Sequence, residues 1–381
     1  MTTTPAIRGW CPGALRPMPS GDGLVVRIRP RLARLSAVQA LGLCDAARAH
    51  GAGLIDLTNR ANVQLRGVAE SALPMLQAEL AALGLLDPDP AAEARRNIVL
   101  TPFWQAGDDS ARLAEALLAR LGALPALPPK VGFVVDTGAQ RVLDHVPGDF
   151  RLERAQSGGL ILRAAGRALG LPVALEAACS ALIALAEWFV QSGGAASGRM
   201  ARHRAPLPGW ATGTEPPAAN APLPEPGGHP LGVLVGLPFG QVAADDLARA
   251  LRHSGAGALR ITPWRLVLLE GVAQPISLPG LLGAPDPLLR VDACAGAPLC
   301  PQASVETRAL ARALTPLTAG RNLHVSGCAK GCARASPADL VLTGREGRFD
   351  LALNARAGDP PLKRGLNPDE ILTLFRGPDA P

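Results

Sequence analysis

Hydrophobic and polar positions along the chain describe one order of short elements that occurs twice. Apolar runs predict strands at residues 24–29, Leu54–Leu57 and 63–66, with a helix between the Ser36 cap and Gly51. The same β-α-β-β order returns later, and its predicted elements are a strand at 231–235, a helix at 245–253 and strands at 259–261 and 266–269. The pattern therefore predicts two copies of one small α+β unit.

Short sequence echoes support this duplication. Residues 53–58 resemble residues 257–262, and the threonine that ends each segment is followed by a glycine nine residues later. A fainter repeat pairs two predicted hairpins, at residues 149–166 and 339–358. Chance similarity in an Ala/Leu-rich chain is the alternative, but the shared order and spacing favour duplication.

The two repeats divide the chain into four units, which we call A, B, A′ and B′. Residues 1–22 form a predicted N-terminal arm, because the glycines and prolines of residues 8–23 disfavour any regular element there. The predicted boundaries are 23–85 for A, 86–204 for B, 205–228 for a Pro/Gly-rich linker, 229–283 for A′ and 284–381 for B′.

Composition and charge favour a globular protein with large cores and disfavour a nucleic-acid-binding protein. The 381 residues are enough for two or three domain-sized units, and a hydrophobic content of 48% allows large cores. The net charge is +6, yet no Lys/Arg run is interleaved with aromatic residues as in a nucleic-acid-binding surface. We therefore expect no nucleic-acid partner and favour a small polyanionic ligand that dispersed arginines bind.

Two features predict a cytoplasmic protein without a membrane span. The most apolar stretch, residues 168–186, contains Pro172 and Glu176, so a buried helix explains it better than a membrane helix. The N-terminus also lacks a charged and then apolar leader. In the cytoplasm, cysteine thiols stay reduced and available to metals.

Four of the seven cysteines fall within thirty-nine residues of unit B′. Cys294 and Cys300 form one pair, Cys328 and Cys332 form the other, and a helix predicted at 303–314 separates their Gly/Ala/Pro-rich loops. Structural zinc prefers more closely spaced pairs, and the odd cysteine count disfavours disulfides. The spacing favours an iron–sulfur cluster, with small buried cysteines as the alternative.

Other polar residues carry weaker signals. Arg60 and Arg66 lie in a polar hairpin, and their planar guanidinium groups suit carboxylates, although solvated arginines would explain the hairpin equally well. The six histidines form no helical pair, so Asp144, His145 and His324 are only candidate metal ligands. The sequence assigns no catalytic residue, and it assigns no role to the single cysteine of the arm, Cys11.

Taken together, the cysteine motif and the duplication resemble the sulfite and nitrite reductase family. The resemblance implies an α+β, duplicated architecture of two ferredoxin-like halves plus two α/β halves, with a tetrapyrrole at their junction. It implies that the four cysteines hold a 4Fe–4S cluster and that Arg60, Arg96 and Lys130 bind the tetrapyrrole. Arg66, which lies in the same hairpin as Arg60, is predicted to bind it as well because of its guanidinium group. In the reductases a second lysine, which helps to bind the small anion that is reduced, stands where this chain has Gly132. Its loss argues against sulfite or nitrite reduction.

The arm, from Cys11-Pro-Gly to Asp22-Gly, and the Arg60 hairpin resemble the cobalamin-pathway branch of this family, the precorrin-3B synthases. This resemblance implies hydroxylation of precorrin-3A at C20 by O2, with closure of a γ-lactone. It implies a 4Fe–4S cluster, a mononuclear non-haem iron with unidentified ligands, and no sirohaem. The implied electron donor is a reductase or ferredoxin linked to NADH. The alternatives are a sirohaem-dependent sulfite or nitrite reductase and a non-enzymatic tetrapyrrole carrier or redox sensor.

Overall fold

A computed structural model describes residues 11–377 and residue 381, so the first ten residues of the predicted arm lie outside the described part of the chain. The described residues form four five-stranded sheets, one based on each of A, B, A′ and B′. Helices pack on these mixed and antiparallel sheets. The predicted α+β class is confirmed.

Unit A contains the predicted β-α-β-β order. Ser36 begins the first helix through a capping box: its hydroxyl accepts from Gln39 N, and the Gln39 side chain accepts from Ser36 N. The elements are β1 (Met18–Ser20), β2 (Gly23–Ile28), β3 (Arg34–Ser36), α1 (Ala37–His50), β4 (Leu54–Leu57), β5 (Val63–Val68) and α2 (Leu73–Ala82).

Strand β1 corrects the expectation that residues 8–23 contain no regular element. Met18 and Pro19 pair antiparallel with Val25 and Leu24 of β2. A proline is tolerated here because β1 is an edge strand, and one side of an edge strand makes no ladder hydrogen bonds.

Unit B follows with a sheet that is parallel at one edge and antiparallel at the other. Strands β6, β7 and β8 run parallel, whereas β8 and β9 form the predicted antiparallel hairpin. The elements are α3 (Pro90–Arg95), β6 (Ile98–Leu100), α4 (Asp109–Ala119), β7 (Phe133–Asp136), β8 (Phe150–Arg154), β9 (Leu160–Ala164), β10 (Leu171–Val173), α5 (Leu175–Gln191) and α6 (Gly194–Ser197).

Units A′ and B′ repeat this organisation. The elements of A′ are β11 (Gly227–His229), β12 (Gly232–Gly236), β13 (Gln241–Ala243), α7 (Ala244–Ser254), β14 (Ala258–Ile261) and β15 (Leu266–Glu270). Those of B′ are β16 (Val291–Ala293), α8 (Arg308–Leu314), β17 (Leu323–Ser326), β18 (Ala338–Arg345), β19 (Arg348–Ala355), β20 (Lys363–Leu366) and α9 (Pro368–Arg376). None of the described helices is long and apolar enough to span a bilayer.

The helix between the two cysteine pairs begins later than predicted, at Arg308 instead of residue 303. The N–H of Ala303 donates to the Cys300 carbonyl, and the N–H of Ser304 donates to the Gly327 carbonyl. These bonds hold the first residues of the predicted helix in a loop that joins the two cysteine loops.

Units A and A′ exchange edge strands, which the sequence did not predict. Strand β3 of A pairs with β14 of A′, and β13 of A′ pairs with β4 of A. Apolar residues of both units, such as Leu35, Ile55, Val242 and Leu259, are buried in one common core. The two copies therefore fold as interlocked partners and not as separate domains.

A partly exposed ion pair stabilises this exchange. Glu270 accepts from Arg34 of β3 at 2.8 and 3.0 Å and from Arg260 of β14 at 2.8 Å. The hydrogen bonds from Arg34 are the largest cause that lowers the pKa of Glu270, from 4.5 to about 2, and the hydrogen bond and charge of Arg260 add to this shift.

We expect Glu270→Gln to lower the free energy of unfolding at pH 7 by about 1–2 kcal/mol, because the partly exposed pair is screened by solvent. The contribution of the pair should be fully present above pH 4.5 and lost as the pH falls toward 2, since the folded-state pKa is depressed. Denaturant unfolding at pH 7 and pH 3 measures both effects. Substitution of the exposed Glu187 is the control, and equal stability of the two variants would contradict the role of the pair.

Candidate active site

A cavity of about 1080 Å³ lies where units A, A′ and B′ meet. Unit A lines it with the β4–β5 hairpin and part of β2, and A′ lines it with the turn around Trp264. The sulfur-bearing loops of B′ form the opposite wall. A cavity of this size accommodates a large organic ligand.

All four cysteines of the B′ motif line this cavity: Cys294, Cys300, Cys328 and Cys332. The two pairs meet because β16 and β17 are parallel neighbours, so the loops that follow them leave the same edge of the sheet. The N–H of Gly327 donates to the Cys294 sulfur at 3.2 Å, which joins the two loops directly.

The four thiols also influence one another electrostatically. Burial raises the pKa of the Cys328 thiol, and negative charge on Cys300 and Cys294 raises it further, against a backbone hydrogen bond and the charge of Lys330. The pKa of Cys332 is raised mainly because its sulfur faces protein, although the residue as a whole is exposed, and again the other three thiols contribute. A positively charged group bound among the four sulfurs would relieve this repulsion and favour the thiolate form.

Four cysteines on two adjoining loops are a donor set that iron–sulfur clusters use. Among residues 11–377, no three His, Cys, Asp or Glu side chains are arranged to hold one ion. In a 4Fe–4S cluster each thiolate binds a different iron, so the sulfurs surround the cluster without converging on one point. The N–H group that Gly327 directs at Cys294 is the kind of donor that tunes such clusters.

The candidate ligands for a mononuclear iron are not brought together. Asp144 binds Arg141 on unit B, and His145 beside it is exposed. His324 lies on β17 of B′, fully buried, with both ring nitrogens lacking a hydrogen-bond partner among the described residues. These three residues therefore do not form a site for a mononuclear iron.

The three arginines and one lysine that are expected to bind a tetrapyrrole are dispersed over the structure. Arg66 lines the cavity, but Asp22 accepts from its guanidinium twice at 3.1 Å, and the Leu299 carbonyl accepts once at 3.0 Å. Arg60 lies beside Lys130, whose carbonyl accepts from its Nη2 at 2.8 Å. These two and Arg96 are not among the residues that line the cavity.

Arg96 is the most fully engaged of these residues. Asp87 accepts from it at 2.9 and 2.7 Å, and the Arg29 carbonyl accepts from its third nitrogen. The guanidinium group therefore has little free hydrogen-bonding capacity. Substrate binding by Arg60, Arg66, Arg96 and Lys130 stays a prediction.

Sequence reasoning missed Arg27, which lines the cavity from β2. Both Nε and Nη2 donate to the Gln64 side-chain oxygen, at 2.9 and 2.6 Å, and no described carboxylate forms an ion pair with it. Burial is the main cause that lowers its pKa to about 10, so the side chain stays charged at neutral pH. The signal available in the sequence was a charged residue on an otherwise apolar strand.

Two further polar residues of the wall were also missed. Asp56 of β4 is buried, which raises its pKa, although the cations of Arg308 and Arg66 oppose the shift. Arg308, at the start of α8, lies 4.0 Å from Asp56 and within electrostatic range of Cys294. Charged side chains therefore extend along this wall from the sheet of unit A to the cysteine loops.

Only one of the two duplicated sheets presents such a polar face. In A, Gln64 stands between Arg27 and Asp56 on neighbouring strands. At the matching register of A′, Leu268 stands between Leu234 and Arg260. Aromatic residues cover this second face: Phe103 stacks on His229 at 4.4 Å, and Trp104 lies 4.4 Å beneath the guanidinium of Arg260. The polar face of unit A is therefore open to the cavity, whereas aromatic residues fill the corresponding face of A′.

Comparisons with known proteins relate this chain to a family. Residues 16–83 match the nitrite/sulfite reductase ferredoxin-like half domain. A precorrin-3B synthase of Sinorhizobium sp is 33% identical over 404 aligned residues, which cover 93% of this chain and 84% of that protein. A chloroplastic ferredoxin–nitrite reductase of Betula pendula is 31% identical over 129 residues, which cover 28% of this chain and 22% of that protein.

A solved structure shares the fold. The Mycobacterium tuberculosis NirA protein superposes with a TM-score of 0.58 at 19% identity, over 92% of this chain and 79% of that one. At this identity the likeness concerns the fold alone, and it confirms the predicted reductase-like architecture.

Proposed function

This chain belongs to the precorrin-3B synthase family, and on that premise we propose that it converts precorrin-3A to precorrin-3B. Beyond family membership, the proposal rests on the cavity of about 1080 Å³. One wall carries Arg27, which forms no ion pair with a carboxylate among the described residues, and the other wall carries the four cysteines. The arginine could bind one of the several carboxylates of precorrin-3A. The cysteines could hold a cluster that delivers electrons.

The proposed reaction is a monooxygenation. One oxygen atom of O2 enters the product as the hydroxyl group at C20, and a ring-A acetate closes a lactone onto C1. The other oxygen atom leaves as water. This balance consumes two electrons and two protons, so the protein requires an external reductant.

The four cysteines are the residues that would hold a 4Fe–4S cluster, and the cluster would supply electrons one at a time. Arg27 would bind and orient a substrate carboxylate, while the polar Gln64 fixes the direction of its guanidinium. Asp56, whose pKa is raised by burial, adds a carboxyl group to the same wall. The apolar remainder of the wall, including Phe239 and Trp264, would exclude water.

The proposed electron donor is a reductase or ferredoxin linked to NADH. Cys332 is the exposed member of the cysteine set, and Lys330 and Arg356 are exposed close to the same loop. This combination supports docking of an acidic electron carrier at the Cys328–Cys332 loop. Electrostatic docking of this kind should weaken as ionic strength rises.

One experiment on anaerobically purified protein separates this proposal from a sirohaem-dependent sulfite or nitrite reductase. Protein purified without oxygen should contain about four iron and four sulfide per chain and show broad brown absorption. Addition of precorrin-3A, O2 and a reductant should then consume precorrin-3A. Intense sirohaem bands in the visible spectrum, with turnover of sulfite or nitrite, would favour the reductase. Binding of precorrin-3A without any turnover would favour a carrier.

A further inference from the structure

The residue just before helix α8 lies directly on the first cysteine loop of unit B′. The Thr307 hydroxyl donates to the Cys294 carbonyl at 2.7 Å, and Thr307 is fully buried. Gly296 packs so closely against it that a Cβ atom on Gly296 would lie 2.8 Å from the Thr307 hydroxyl oxygen. The next residue along the chain, Arg308, is therefore held close to Cys294.

The Arg308 side chain extends from this loop to the strands of units A and A′. Its Nη1 donates to the side-chain oxygen of Gln241, and its Nη2 lies 4.0 Å from a carboxylate oxygen of Asp56. The Gln241 side chain also donates to that Asp56 oxygen at 2.7 Å, so two paired strands fix the direction of the guanidinium group. Arg308 lines the cavity, and its side chain is 19% exposed. It is therefore a mostly buried cation between the cavity and the cysteine loops.

The positive charge of Arg308 is only partly balanced. Among the described residues, Asp56 is the carboxylate that pairs with it, and Asp56 lies equally close to Arg66, at 3.9 Å. The Nε of Arg308 is buried and has no hydrogen-bond partner in the described part of the chain. Water and salt screen a mostly buried charge weakly, so it acts on other charges several ångströms away. One of these is negative charge on Cys294, with which Arg308 interacts electrostatically.

The two cysteine pairs have different cations beside them. Lys330 interacts electrostatically with Cys328 and Cys332, but Lys330 is exposed to solvent. Arg308, beside Cys294, is the mostly buried one of the two cations. Because solvent screens an exposed charge more strongly than a buried one, Arg308 should have the larger influence on a group bound among the four sulfurs.

We propose that Arg308 raises the reduction potential of the cluster that the four cysteines would hold, and so makes the cluster easier to reduce. This inference rests on the proposed function, in which the cluster delivers electrons to the cavity. Each electron that the external reductant donates adds one negative charge to the cluster, and net charge is among the factors that set the potential of such clusters. A fixed cation beside Cys294 stabilises the more negative, reduced state more than the oxidised state.

The test is an anaerobic redox titration of the full-length, cluster-containing protein without precorrin-3A, monitored by visible absorption and electron paramagnetic resonance. Arg308→Gln removes the charge and keeps a polar side chain. It should shift the reduction equilibrium about tenfold toward the oxidised cluster, which for one electron is a potential about 59 mV lower. Arg308→Lys keeps the charge and should retain most of the wild-type potential.

Arg312→Gln is the matched control for the charge on α8. Arg312 lies one turn after Arg308, and both guanidinium groups lie over the Phe239 ring, at 5.1 and 5.9 Å. Arg312 is exposed, however, and it is not among the residues that line the cavity. Its replacement should leave the potential unchanged, because solvent screens its charge.

Iron and sulfide content, measured on each variant, separates an electrostatic role from a structural one. Arg308→Met is a second neutral variant, for use if Arg308→Gln holds less cluster than the wild type. A wild-type potential in either neutral variant overturns this inference alone, and so does an equal shift in Arg308→Lys. Loss of the cluster from both neutral variants would assign Arg308 to the folding of the cysteine loops and would likewise overturn it. A wild-type protein without an iron–sulfur cluster overturns both this inference and the electron delivery in the proposed function.

Discussion

Replacing Cys328 with alanine should remove the iron–sulfur cluster and abolish turnover of precorrin-3A. Cys328 lines the cavity with the other three cysteines of B′, and its loop joins theirs through the Gly327 hydrogen bond to Cys294. Loss of a residue that only hydrogen-bonds a metal ligand lowers metal affinity or activity about 10–100-fold. Loss of a direct ligand should therefore lower turnover by more than about a hundredfold. Iron and sulfide content, visible absorption and turnover measure the effect.

Cys44 and Cys179 provide matched controls for this experiment. Both are buried within helices, α1 and α5, and neither lines the cavity. Burial raises the pKa of Cys44 to about 12, so its thiol stays protonated and chemically inert. Alanine at either position should preserve the cluster. A Cys328→Ala protein with full iron and sulfide content and normal turnover would show that the cluster assignment is wrong.

Replacing Arg27 with alanine should weaken binding of precorrin-3A about tenfold to a hundredfold without altering the cluster. A charge-assisted hydrogen bond to a carboxylate contributes roughly 1.5–3 kcal/mol, and a factor of ten corresponds to about 1.4 kcal/mol. Arg27 stays charged at neutral pH because its pKa, lowered mainly by burial, is still about 10. Arg27→Lys should recover part of the affinity, since it restores the charge without the planar fork. Anaerobic titration measures binding without turnover.

Two comparisons make the Arg27 result specific. Arg120→Ala removes an exposed arginine that contacts Ser180 and does not line the cavity, so binding should not change. Arg60→Ala tests the arginine that the sequence motif favours, which lies beside Lys130 and outside the cavity lining. An Arg27→Ala protein that binds precorrin-3A as tightly as the wild type would place the tetrapyrrole elsewhere.

Local sequence patterns were sufficient for the elements and for the cysteine motif. Apolar runs and a capping serine predict α1, and short apolar runs predict β4 and β5, because the interactions that form these elements join residues close along the chain. The same patterns failed at β1 and at the start of α8. Strand β1 pairs with β2 across the short turn at Gly21 and Asp22, and Ser20 and Gly21 also donate to the Leu299 carbonyl. At the start of the predicted α8, the N–H of Ser304 donates to the distant Gly327 carbonyl.

The binding residues illustrate the limit of motif-based reasoning. Arg66 is a prominent arginine of the hairpin, yet Asp22 and the Leu299 carbonyl, 233 positions away, occupy its guanidinium. Arg27 belongs to no recognisable motif, yet its strand places it on the open cavity wall.

The sequence by itself determined the α+β class, the duplication and the paired cysteines, because each of these depends on spacing along the chain. Only the tertiary structure decided that A and A′ exchange strands, that one duplicated face is open while the other is filled by Phe103 and Trp104, and which arginines remain available to a ligand. The physical reason is that a guanidinium is free or occupied according to the carboxylates and carbonyls that long-range packing places around it.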